Sequence, residues 1–254
     1  MVAQLVTVEG NLSTGKTTIA RRVAEYMPDT RFFPAPEPES NPYWAAFQRD
    51  PAAHALALQR WFLRERLRVY LAALQHMRQT RQSAILDFSI WSDVIFAIKH
   101  REDGHLTAAE FDEYLQLSQQ LFALHLPPPH LTIVLQVDAA VCLQRCEASS
   151  TRSSRPTLAH IERLGELLER RWLMDVDPRW LRNGRLATLH PPPDLPRAPS
   201  LSVLVRDWTD LSQIRASAIA DAVMCTPPVD MNTWLAGFLE QYNEERVNEL
   251  TTHC

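Results

Sequence analysis

Eight residues near the start of the chain, Gly10-Asn11-Leu12-Ser13-Thr14-Gly15-Lys16-Thr17, satisfy the pattern G-x-x-x-x-G-K-S/T at every fixed position. That pattern cradles phosphate. Its glycines let the backbone bend so that successive N–H groups point at phosphate oxygens, and the N-terminus of a following helix adds to the attraction. Lys16 is expected to reach the β- and γ-phosphates of a nucleoside triphosphate, and the Thr17 hydroxyl to hold Mg²⁺, with Thr18 beside them at the helix start. Composition strengthens the reading, because only two of the 26 basic residues, Lys16 and Lys99, are lysine. A chain that writes nearly every other positive charge as arginine keeps a lysine where this loop requires one. Binding of ATP or GTP follows, and the use made of it must be read elsewhere.

Transfer of a γ-phosphoryl group to an alcohol needs a base near the hydroxyl, a divalent ion, and positive charge around the moving group. Glu37 and Asp87 are the carboxylates placed to meet those needs, each just after a short apolar run. On spacing alone each has an equal alternative, Glu37 as an exposed loop acid and Asp87 as a helix cap before Ser89.

The elements that must position these groups alternate. Leu5 to Val8 reads as a buried strand and Thr17 to Tyr26 as the helix after it. Arg31 to Phe33 predicts a second strand running into the stiff Pro34-Ala35-Pro36-Glu37-Pro38 segment. A short helix near Tyr43 to Gln48 precedes a long one, Ala52 to Arg78, with an apolar face from Leu56 to Leu74. Ser83 to Leu86 is a third strand, and Ser89 to His100 reads as helix. Thr107-Ala108-Ala109-Glu110 has the spacing of a capping box and opens another helix, ended by Pro127 to Pro129. Leu131 to Val137 is the fourth strand, with Asp138 capping the helix after it. Ser149 to Ser154 reads as a mobile loop, Thr157 to Met174 as helix, and the proline-bearing stretch 176–200 as an irregular excursion. Leu201 to Val205 is the fifth strand, and 231–250 a last helix.

Strands alternating with helices predict an α/β fold, a five-stranded parallel sheet flanked by helices on both faces, with ligands at the carboxyl ends of the strands. Residues 1–222 are expected to form that domain and 223–254 a C-terminal helical extension. A chain of 254 residues at 46% hydrophobic suffices for such a core. The net charge of −4 argues against a nucleic-acid surface and favours a small phosphorylated ligand. Four cysteines (Cys142, Cys146, Cys225, Cys254) supply no metal or disulfide framework. No segment is apolar for long enough to cross a membrane, and the first strand starts almost at Met1, so a cytoplasmic or nuclear protein is the expectation.

Several further motifs now converge. Glu9 to Thr17 is similar to the E-G-N-I-x-S/T-G-K-S/T loop of the deoxyribonucleoside kinase family. Pro36-Glu37-Pro38 matches its P-E-P, and Asn41-Pro42-Tyr43 with Phe47 and Asp50-Pro51 resembles its bacterial branch. Leu58-Gln59 with Phe62-Leu63 and Arg66 matches its base-recognition helix. Asp87-x-Ser89-x-x-Ser92-Asp93, and Asp138 with Cys142-Leu143-x-Arg145, match the exits of its third and fourth strands. The resemblance runs from the first strand to about residue 175. It implies that the γ-phosphate of ATP passes to the 5′-hydroxyl of a deoxyribonucleoside, with Mg²⁺ as cofactor and a homodimer as the assembly.

Residue by residue, the resemblance gives Gln59 paired amide hydrogen bonds to the base and pairs Arg66 with Asp93 beside it. An Arg–Asp pair resembles members that accept deoxycytidine, deoxyadenosine or deoxyguanosine rather than thymidine. Glu37 is implied as acceptor of the 5′-hydroxyl proton. Asp87 holds the metal or shares the base role, an alternative the sequence leaves open. Arg145, Arg152 and Arg155 flank a lid closing over the phosphates. Three departures stand out: Phe88 replaces an arginine near the 5′ position, Gln48 replaces the tyrosine that meets the sugar 3′-hydroxyl, and Ser149 to Arg155 lacks the lid glutamate. Two other readings accompany these, a nucleoside monophosphate kinase and a catalytically weakened or inactive binding protein on the same scaffold.

Overall fold

The computed structural model describes residues 3–122, 126–149, 156–172, 186–187, 203–207, 216–225, 230, 234–235 and 238. Five parallel strands carry the fold: β1 (Leu5–Gly10), β2 (Thr30–Phe33), β3 (Ser83–Asp87), β4 (Leu131–Gln136) and, after a two-residue edge strand β5 (Leu186–Ala187), β6 (Val203–Asp207). Their order across the sheet is β2-β3-β1-β4-β6-β5, and only β5 pairs antiparallel. The chain therefore leaves β1 to one side and returns on the other, placing a crevice at the carboxyl end of β1.

Helices cover both faces. Along β1, Val6 and Val8 face α1 (Lys16–Tyr26) and α8 (Ala216–Met224), whose Ile19, Val23, Ile219 and Val223 complete one core. Leu5 faces the other core, built by α3 (Pro51–Thr80), α4 (Asp93–Glu102), α5 (Ala108–Phe122) and α7 (Leu158–Trp172). Period-two alternation then puts Thr7 and Glu9 on that second face with Leu5. Between β2 and α3 lies α2 (Trp44–Arg49), and α6 (Ala139–Ala148) follows β4.

Local signals explain the boundaries. Asp50 caps α3 by accepting from Ala53 N–H, with Pro51 at the first helical position. Thr107 and Glu110 form the reciprocal capping box, Glu110 N–H donating to Thr107 Oγ1 (3.2 Å) and Thr107 N–H to Glu110 Oε2 (2.8 Å). Asp138 caps α6 through Ala140 N–H at 2.8 Å. The helix expected from Ser89 instead begins at Asp93, after a single 3₁₀ turn over Ile90–Ser92, because Ser89 is extended.

The helix α8 and the edge strand β5 were not anticipated. Most of 176–200 and of 231–250 lies outside the described residues. Trp234, Leu235 and Phe238 pack into the second core, and Trp234 Nε1 donates to Pro128 O at 2.9 Å. Among the described residues no helix is long and apolar enough to cross a membrane.

Candidate active site

The phosphate loop bridges β1 and α1. Gly15 is left-handed at the start of α1 (φ +90), where a side chain would be strained. At Gly10 a Cβ would lie 2.8 Å from Thr14 Oγ1 and 3.0 Å from Leu135 O, so β4 itself demands glycine there. Thr14 Oγ1 donates to Asn11 O at 2.9 Å, and Lys16 Nζ reaches back to the same carbonyl at 2.6 Å. Asn11 stitches the loop outward, its Nδ2 donating to Ile161 O of α7 at 2.6 Å and its Oδ1 accepting from Leu12 N–H at 2.7 Å. Ser13 Oγ lies 2.9 Å from Cys146 Sγ on α6. Leu12 completes the loop as a half-buried side chain, and Thr18 is exposed on the first turn of α1.

Asp87 ends β3 beside this loop. Its Oδ2 accepts from Thr17 Oγ1 at 2.5 Å, while Oδ1 is buried without a hydrogen-bond partner. A carboxylate with an unspent oxygen next to a hydroxyl is a hard-oxygen donor set of the kind Mg²⁺ takes. Thr17 and Asp87 are the residues that would hold the ion, which would supply positive charge against bound phosphates. Among the described residues no group of three or more His, Cys, Asp or Glu side chains could hold a metal alone.

Phe88 follows, with φ +66 in the left-handed region that bulky residues rarely enter. Its ring lies under two cations, with Lys16 Nζ 5.7 Å and the Arg66 guanidinium 4.8 Å from the ring centre. Arg66 also stands 5.0 Å from the Phe62 ring and 5.4 Å from Phe96. It pairs with Asp93, whose side chain is fully buried. Burial pulls Arg66 down to about 10, so the guanidinium stays charged at neutral pH.

Asp93 gathers side chains from two further helices. Gln59 Nε2 donates to Asp93 Oδ2 at 2.9 Å and to its backbone O at 3.1 Å, and Tyr114 OH donates to Oδ2 at 2.6 Å. Lys16, Thr17, Asp87, Phe88, Arg66, Asp93 and Gln59 thus form one chain of neighbours. A cavity of about 180 Å³, counted to its open mouth, lies alongside, between Gly10 to Leu12, Phe88, Ile95, Phe96, Leu164 and Leu168.

Glu37 and Gln48 stand apart. Glu37 opens the 3₁₀ turn Pro38–Ser40 and is exposed, its carboxylate bonded to no described residue. Its loop is tied down by Asn41, which donates to Leu58 O of α3 at 3.3 Å. Gln48 is exposed on α2. Arg145 is half-buried on α6 and acts with Lys16 on the Cys142 thiol, which burial pushes up to about 11 against their pull. Arg152 and Arg155 lie outside the described residues.

Two participants escaped sequence reasoning. Tyr114 is not singled out in the sequence, and Glu9 enters only as the first residue of the phosphate-loop motif, with no role assigned. Glu9 is fully buried, and its Oε1 accepts Ser89 N–H at 2.9 Å. Burial raises it to about 7, opposed by the nearby Ser89 and Ser92 hydroxyls, by the Ser89 N–H and by Lys16.

A parallel sheet in this order, with the phosphate loop after β1, defines a P-loop α/β kinase fold. Residues 6–171 match the family described as deoxynucleoside kinase, and the chain belongs to that family. It is 35% identical over 146 residues to a deoxyguanosine kinase of Dictyostelium discoideum, covering 57% of this chain and 50% of that protein. It is 29% identical over 154 residues to NADH dehydrogenase (ubiquinone) 1 alpha subcomplex subunit 10, mitochondrial, of Bos taurus, covering 53% and 45%. The chain thus spans about half the length of these curated relatives. A solved deoxyadenosine kinase from M. mycoides with bound dATP shares the fold, with a TM-score of 0.60 at 17% identity over 86% of this chain and 96% of that one.

Proposed function

We propose that this protein transfers the γ-phosphate of ATP to the 5′-hydroxyl of a deoxyribonucleoside, as in nucleotide salvage, with Mg²⁺ at Thr17 and Asp87. The observation that carries the reading is the unbroken run of contacts from Lys16 through Phe88 and Arg66 to Asp93 and Gln59. It links the phosphate loop to a buried polar group, which we read as the base-recognition side. Glu37 accepts the proton of the 5′-hydroxyl as that oxygen attacks the γ-phosphorus. The bond from phosphorus to the β,γ-bridging oxygen breaks, and ADP leaves with the electron pair. Lys16 releases Asn11 O to meet the phosphates, and Arg145, with Arg152 and Arg155, offsets the charge that develops on them. Mg²⁺ supplies neutralisation of the β- and γ-phosphate oxygens.

Substrate choice is read from the residues around Asp93. Gln59 Nε2 donates to Asp93, and Arg66, a donor only, pairs with the same carboxylate. That Arg66–Asp93 pair resembles the one in family members that accept deoxyguanosine, deoxyadenosine or deoxycytidine rather than thymidine, and it is the support for preferring those three. Phe88 removes an arginine from the 5′ side, yet Arg66 over the same ring keeps a positive charge there. Gln48 retains a hydrogen-bonding group for the sugar 3′-hydroxyl. The homodimer and cytoplasmic residence implied by the family resemblance belong to the same proposal.

A second reading, an assembly or binding protein without turnover, is favoured by the likeness to a respiratory-complex subunit and by Phe88. Retention of Lys16, Thr17, Glu37 and Asp87 favours the first. Incubation of the protein with γ-labelled ATP and a panel of deoxynucleosides and their monophosphates separates them. Labelled product from deoxynucleosides, with kcat/KM lowest for thymidine, is the expected result. Product from monophosphates alone overturns the substrate assignment, and no product at all favours the second reading.

A further inference from the structure

The parallel ladder between β1 and β3 ends in an unusual way. Val8 lies beside Asp87, and Phe88 N–H donates to Val8 O at 3.0 Å as the last rung. The next amide, Ser89 N–H, donates instead to the Glu9 side chain, Oε1, at 2.9 Å. Between these two bonds the backbone turns through Phe88 in its left-handed conformation. Glu9 occupies the face of β1 that buries Leu5 and Thr7, where an apolar side chain would pack at less cost. Its second oxygen is buried without a hydrogen bond. A carboxylate kept in such a place, and joined to a chain segment 80 residues away, is holding something in position.

We propose that Glu9 is a positioning residue of the phosphoryl-transfer site: by gripping Ser89 N–H it fixes the turn at Phe88, and with it the Asp87 carboxylate against Thr17. The inference rests on the kinase reading only in that Thr17 and Asp87 are taken to hold Mg²⁺. The far side of the same turn is fastened by α7, where Arg171 Nε donates to Trp91 O at 3.0 Å and Trp172 Nε1 to Ser92 Oγ at 2.7 Å. Glu9 is thus the fastening on the side of the phosphate loop. The neutral and the ionised carboxyl both present an oxygen to Ser89 N–H, so a glutamine amide can take over the grip.

ATP affinity is measured by titration calorimetry with excess Mg²⁺ and with EDTA, for the wild type, Glu9→Gln and Glu9→Met. The wild type is expected to bind more tightly with Mg²⁺. Glu9→Met, similar in volume but with no acceptor, should lose about tenfold of that tightening, the usual penalty for removing support of a metal ligand, with EDTA affinity within about twofold. Glu9→Gln should keep most of the tightening. Equal Mg²⁺ tightening in Glu9→Met and wild type, equal loss in both variants, or no Mg²⁺ effect in the wild type overturns the proposal. If Glu9→Met does not fold, as judged by thermal melting, Glu9→Gln decides alone: retention supports the grip and loss contradicts it. A wild type that binds Mg²⁺ and ATP yet phosphorylates no nucleoside ends the kinase reading and leaves this comparison intact.

Discussion

Asp93 is the carboxylate on which the proposed recognition side of the cleft converges. One carboxylate receives Arg66, Gln59 and Tyr114, all inside the protein. Removing Tyr114 OH as Tyr114→Phe takes away a hydrogen bond to a charged group, a loss of about 1.5–3 kcal/mol. The expected outcome is roughly a tenfold or greater fall in kcat/KM for deoxyguanosine with the fold intact, checked by steady-state kinetics beside circular dichroism. Asp93→Ala should do more, because it strands the Arg66 cation in a cage of aromatic rings. Breaking a buried pair in this way costs about 3–5 kcal/mol of stability, to be read from urea unfolding. Glu37 makes the opposite case. Exposed and bonded to no described residue, it contributes little to stability, so Glu37→Gln should leave the melting temperature unchanged. Its kcat should fall by about 10²–10⁴ while ATP still binds. An unchanged kcat removes Glu37 from the mechanism.

At the scale of elements, features set within four residues of sequence were legible and those set across the sheet were not. The Thr107–Glu110 capping box and the Asp138 cap depend on neighbours along the chain, and both formed. The start of α4 depends on Glu9, which captures Ser89 and delays the helix to Asp93. Phe88 enters the left-handed region because its flanking contacts over-determine it, which no residue preference reveals. For α8 the signal was present, since Ala216, Ile219, Ala220 and Val223 repeat at helical spacing and are the positions buried. The start of β4 carries its own pH dependence. His130 Nδ1 accepts Leu5 N–H at 3.1 Å, and burial holds the ring down to about 4. From pH 6.5 down to 4 the unfolded chain takes a proton that the folded ring refuses, so this contribution is complete above 6.5 and lost as pH falls. Its size is about 1–3 kcal/mol. His130→Gln should flatten that part of the stability profile, seen as a smaller difference in urea midpoint between pH 7 and pH 4.5.

For the whole molecule, the parallel sheet with helices on both faces was legible in the alternation of strands and helices, whereas the strand order, and with it the crevice at the end of β1, was not. Thr17 meets Asp87 and Arg66 meets Asp93, the pairing expected for Arg66, while the Gln59 amide, read as a base-binding group, donates to Asp93. Glu9 and Tyr114 were hidden because a buried polar contact between distant segments leaves no local spacing to read. The proposed function requires the molecule to hold a triphosphate and a nucleoside in one cleft, end to end. The most direct measurement is the affinity of a bisubstrate compound in which deoxyguanosine is joined through its 5′-oxygen to adenosine by a polyphosphate bridge. Joined ligands that occupy one cleft together should bind about 10²–10⁴ times more tightly than ATP alone. Lys16→Ala and Arg66→Ala should each abolish most of that gain. A bridged compound that binds no better than ATP, or whose affinity ignores Arg66, contradicts the account.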